Sequence, residues 1–278
     1  MFDSIFAILA VAFYCIATVL VVIYLRAATK LKEKTKDQSN KKIQLSYLSG
    51  SIAAAFHAIY ALDIGLIGNI LNVSLGSMVV LMSAMLVVLF LLGGLAMPIR
   101  RLGVLVFPLT IISLVFTFLW GHQETPLDNR SVLFSAHIII SLLAYCLLAI
   151  AAIQALLYVY QERQIKKRAN PAMLMALPPL QTMEQLLFRL IAVGFIVLSL
   201  TLISGAVFSQ QIFGHAFVFK HHTILAMLGW LVFATLLFKR IKHGLRGSNA
   251  AIWTISGFSL IQLGYFGTKI VSESLNLQ

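Results

Sequence analysis

The sequence predicts an all-α protein, a polytopic transmembrane helical bundle that crosses the bilayer about eight times. Three observations predict it: a composition too apolar for water, a series of long apolar runs, and basic residues that alternate between the connections. Residues 1–278 read as a single integral membrane domain.

Apolar residues make up 60% of the chain and charged residues only 11%, with a mean hydropathy of +0.95. A soluble domain carries about 25% charged residues, so this chain cannot cover itself with polar surface and lipid must do so. The formal charge of +12 invites a nucleic-acid partner. Its distribution excludes one. The Lys and Arg residues sit in short clusters between apolar runs, where they fix membrane orientation. Cys15 and Cys146 are far apart inside apolar runs, which leaves no CxxC and no disulfide framework. Both are expected to be packing residues.

A spanning helix needs roughly 20 apolar residues. Eight runs meet or approach that length: Ile5–Leu25, Ile43–Leu66, Leu71–Ala96, Leu102–Trp120, Val132–Tyr160, Gln185–Phe208, Lys220–Phe238 and Ala250–Ile270. No basic segment precedes the first, which therefore reads as a retained helix and not a cleaved signal. Between Glu162 and Glu184, the Leu177–Pro178–Pro179–Leu180 stretch cannot continue a helix, because proline lacks the donor and restricts its predecessor. An amphipathic elbow is expected there.

Alternate connections differ in charge. One set holds the Lys and Arg residues of 26–42, Arg100 with Arg101, those of 163–168 and those of 239–246. The other holds Arg130 and Lys220 beside Asp3, Glu124, Asp128 and Glu273. The positive-inside rule then puts the basic loops in the cytoplasm and both termini outside.

Ionisable side chains inside lipid cost about 2.5–3.5 kcal/mol on insertion scales and so mark places where chemistry happens. Those in or near spans are His57, Asp63, His137, Arg189, His221, His222 and Lys269. In the expected orientation His57, His137 and the His221–His222 pair all fall in the outer half of the bundle. Histidines from three helices at one depth suit a metal or haem iron. A histidine in a membrane helix also serves simply by hydrogen-bonding its neighbour. No HExxH pair supports a zinc hydrolase, and nothing points to an enzyme. Asp63 stands beyond His57, placed to orient an imidazole, ligate a cation or reach the interface. Arg189 is placed to snorkel to the cytoplasmic surface or to meet an anionic group such as a haem propionate. His122 and His215 read as solvated loop residues, and His243 as a basic-loop residue.

The second half carries a set of motifs. These are AHIIISLLAY at 136–145, LPPL at 177–180 with Met183–Glu184 and Phe188–Arg189, Gly194–Phe195, and Leu198–Gly205. Gly229–Trp230, GLRG at 244–247, Gly257–Phe258 and Tyr265–Phe266–Gly267 follow. In order and spacing this region, about 131–272, resembles the cytochrome c assembly family of membrane haem-handling proteins, which includes CcsA, CcmC and HemX-like proteins. Phe56–His57–Ala58, Leu71–Asn72–Val73 and Gly76–Ser77 are similar to its YpjD branch. The resemblance implies a bacterial inner-membrane protein that binds haem near the outer face and is not itself an enzyme. His137 would be one axial ligand and His221 or His222 the other, with His57 as a third histidine. Implied partners are membrane lipid, haem and other membrane or cytochrome-assembly proteins. The tryptophan-rich signature of the haem-delivery members is missing, since residues 213–220 read FGHAFVFK, and Phe238 replaces an internal histidine. Two other readings of the same residues remain: a divalent-cation transporter or accessory using Asp63, His57 and Asn72, and a non-catalytic membrane adaptor.

Overall fold

The computed structural model describes residues 2–28, 36–68, 70–120, 125, 132–167, 177–213 and 221–274. The helices are α1 (Phe2–Ala28), α2 (Lys36–Gly65), α3 (Leu75–Ala96), α4 (Gly103–Trp120), α5 (Val132–Lys166), α6 (Leu180–Phe213), α7 (His221–His243), α8 (Gly247–Gln262) and α9 (Thr268–Ser274). The chain is an all-α membrane bundle. Seven of the described helices are long and apolar enough to cross a membrane. The eighth expected run is helical throughout but in three pieces. α8 has 16 residues, and a π-helical turn at Leu263–Gly267 joins it to α9. Alone, α8 would reach about 24 Å at 1.5 Å per residue, short of the hydrocarbon thickness; helical structure continues through the π turn and α9 to Ser274.

Two compact units result. The first comprises Met1–Pro126 and Val159–Met183, the second Leu127–Tyr158 and Glu184–Gln278. In the first, α1 packs on α2 and α4, and α3 also packs on α2 and α4. The reason is legible in α1. Ala7, Ala10, Tyr14, Ala17, Val21 and Tyr24 are buried at alternating spacings of three and four residues, while Ile8, Ile16, Val19 and Ile23 are exposed on the lipid-facing side. Small residues on that stripe admit close approach, as membrane helix pairs require. α2 answers with hydroxyls: Ser46 donates to the Ala17 carbonyl at 2.7 Å and Ser49 to the Phe13 carbonyl at 2.9 Å.

α3 starts later than hydropathy suggests. Leu71 closes a two-stranded hairpin in which Leu66–Ile67 pairs with Ile70–Leu71, turning through Gly68 at φ 62°. The Ser74 side chain then caps α3 by accepting from the Ser77 amide. The proline stretch behaves as expected. α6 begins at Leu180, the Met183 amide donates to the Pro179 carbonyl, and Gln161 donates to the Pro178 carbonyl at 3.0 Å. Residues 168–176 of the expected elbow lie outside the described residues.

In the second unit, α7 and α8 lie in backbone contact. A Cβ added to Gly229 would meet Ile261 at 2.4 Å and the Gly257 carbonyl at 3.2 Å. Trp230 stacks on Phe195 of α6 at 5.3 Å and donates to Ser199 at 2.8 Å. Cys146 is buried as expected, whereas Cys15 is exposed, because it falls on the outward side of the α1 stripe.

Candidate functional site

The sequence singles out histidines, and the structure gives them different environments. His57 belongs to the first unit. It is fully buried, with Nδ1 3.3 Å from the Tyr14 hydroxyl and Nε2 3.3 Å from the Ser83 hydroxyl. Ser83 Oγ donates to the Val80 carbonyl at 3.1 Å, so its lone pairs face His57. One consistent direction follows: Nε2–H donates to Ser83, and Tyr14 O–H donates to Nδ1. The imidazole is neutral in this chain of bonds, and both its nitrogens are engaged. Tyr14 meets it edge-on at 5.9 Å and stacks on Phe107, which in turn meets Phe90. Ligating a metal through His57 would break one of these buried bonds.

His137 belongs to the second unit, in the second turn of α5. It is half-buried, and its Nδ1 lies 2.8 Å from Ser204 Oγ on α6. Ser204 Oγ donates to the Thr201 carbonyl at 3.0 Å, and the ring stacks on Phe134. The next residue on α6 is Gly205. A Cβ there would stand 3.2 Å from His137 Cε1 and 3.8 Å from Nε2. The missing side chain makes the cradle in which the imidazole lies. A metal-binding histidine is usually oriented through its other nitrogen in this manner. Residue types and cradle therefore suit a haem iron at Nε2. His221 and His222 are exposed in the first turn of α7, in the same unit.

The other expected residues go elsewhere. Asp63 is exposed near the end of α2. Asn72, assigned to a transport cavity in one reading, is buried and holds its loop. Its amide donates to the Ile64 carbonyl, and its oxygen accepts from the Ser74 and Thr125 amides. Among the described residues no group of three or more His, Cys, Asp and Glu is placed to hold a metal ion. Arg189 is exposed on α6. From Arg189 to Ser204 that helix climbs about 22 Å, which separates the guanidinium from the His137 end. Glu184 pairs instead with Arg240 of α7 at 2.7 Å. Arg240 also lies 4.4 Å from the centre of the Phe188 ring and donates to the Leu245 carbonyl. Sequence reasoning missed this clasp because its partners are 56 residues apart. His243 ends α7 against Phe238. His122 and His215 lie outside the described residues.

A family model for the cytochrome c assembly protein matches residues 45–276. The chain belongs to the cytochrome c assembly protein family. The match to this family reaches back into α2, well ahead of the motifs that begin near Val132. The inner membrane protein YpjD of Escherichia coli is 28% identical over 243 residues, covering 84% of this chain and 88% of that protein. The cytochrome c biogenesis protein CcsA of Spinacia oleracea is 31% identical over 122 residues, covering 43% of this chain and 38% of that protein. The Synechocystis protein of the same description is 32% identical over 95 residues, covering 34% of this chain and 28% of its own length. This cytochrome c assembly family member is thus similar along most of its length to YpjD and over shorter stretches to CcsA.

Proposed function

We propose that this chain binds and handles haem in cytochrome c assembly, as a non-enzymatic protein of the bacterial inner membrane. The observation that carries the proposal is His137, held at Nδ1 by Ser204 and laid against Gly205, in a member of the cytochrome c assembly family. Similarity to proteins named for cytochrome c biogenesis supports the same reading. Bound haem would supply an iron that binds imidazole nitrogen. His137 would hold it through Nε2, with His221 or His222 as the second histidine. Ser204 fixes the His137 ring and its tautomer. His57 stays in its own unit as a hydrogen-bonded clasp. With the basic connections in the cytoplasm, both termini and the ligand ends of α5 and α7 lie outside, where haem is passed to or received from partner proteins.

The test is the absorption spectrum of the full chain purified in detergent. A Soret band is expected, either as purified or after addition of haemin, and it weakens in His137→Ala. Colourless protein that gains no band with haemin overturns the proposal.

A further inference from the structure

The π-helical turn at Leu263–Gly267 interrupts an otherwise regular helix near the end of the described chain. Such turns insert one residue into the helical ladder and recur at functional sites. Here the turn is held by Thr268, whose Oγ1 donates to the Gly264 carbonyl at 2.7 Å and the Tyr265 carbonyl at 3.0 Å. A side-chain hydroxyl thus reaches carbonyls inside the widened turn.

The turn touches both helices that bear the second unit's histidines. Gly264 lies against the first turn of α7. A Cβ there would stand 3.0 Å from Leu225 Cβ, 3.3 Å from the His222 carbonyl oxygen and 3.7 Å from His222 Cα. The Tyr265 ring lies 5.9 Å from the Tyr145 ring on α5, two turns beyond His137. An α-helix with one residue fewer would rotate the following segment by about 100° and draw it in by about 1.5 Å. Gly264 and Tyr265 could not then hold both contacts.

We propose that Gly264 and Thr268 are positioning residues for the histidine end of α7, with the π turn setting where His222 stands relative to α5. The inference rests on the haem reading for its consequence: His222, and not His221, is the histidine whose placement the turn controls, and it is the second ligand.

The experiment titrates haemin into the detergent-solubilised full chain and compares Thr268→Val, Thr268→Ser and Gly264→Ala with the wild type. Thr268→Val and Gly264→Ala are expected to weaken haem binding about tenfold, the lower end for loss of a supporting contact, and to shift the Soret maximum. Thr268→Ser, which keeps the hydroxyl, should match the wild type. In a His222→Ala background the Thr268→Val effect should vanish, as coupled positions require. Wild-type affinity and spectrum in both Thr268→Val and Gly264→Ala overturn the inference, as does a Thr268→Val effect that persists without His222. Should Thr268→Val fail to fold, Thr268→Ala removes the hydroxyl without the second methyl. If the wild type takes up no haemin, the haem reading falls on its own. The positioning claim is then read from amide hydrogen exchange at 221–226, expected to quicken in Thr268→Val and not in Thr268→Ser. Unchanged exchange sinks it.

Discussion

His57 and His137 are imidazoles inside membrane helices, both near hydroxyls, yet they sit in contrasting surroundings. His57 is closed on both sides by Tyr14 and Ser83 and walled by Phe107 and Phe90 through Tyr14. His137 is half-buried, held at Nδ1 by Ser204, with its Cε1–Nε2 edge against a glycine. In a low-dielectric interior a polar ring with both nitrogens bonded joins helices, because any other use of it leaves a buried partner unpaired. The Ser204 contact orients the His137 ring from Nδ1, as a supporting group orients a metal-binding imidazole. Residue type and depth alone made the two look alike.

The sharpest way to break this comparison is to exchange its predicted outcomes. His137→Ala should lose most of the haem band in the absorption spectrum, while His57→Ala should keep it. His57→Ala should instead lower stability by about 2–3 kcal/mol, since it opens a cavity and strands two hydroxyls. That loss is read by denaturant unfolding in detergent. Equal loss of haem in both variants would erase the distinction. Ser204→Ala should weaken haem binding about tenfold, some 1.4 kcal/mol, by freeing the His137 ring; titration with haemin measures it, and unchanged affinity would remove Ser204 from the site. Ser49→Ala sits at the small end, at about 0.6 kcal/mol for one interhelical hydrogen bond, with no spectral change.

The fold was legible because lipid imposes it. Every predicted apolar run is helical, and the differences lie at the ends. α5 runs on to Lys166 and α7 to His243, since the backbone ladder continues where hydropathy stops. α3 begins after Leu71 because Asn72 and Ser74 divert the chain into a capped hairpin. Hydropathy alone does not register a serine cap inside an apolar run. The site was legible only as a list of residues. His137 was among them, but Ser204 and Gly205 are about seventy positions away, and nothing local marks a serine and a glycine as a cradle. The Glu184–Arg240 clasp was hidden in the same way, and so was the π turn, which no apolar periodicity reveals.

The meeting of Gly229 with Ile261 and Gly257 has a mechanical consequence. With no side chain to act as a bearing between them, α7 and α8 interlock and cannot slide lengthwise without collision. The same close approach leaves no room for any side chain at Gly229, so a methyl group there would force the two helices apart along the hairpin that starts at His221.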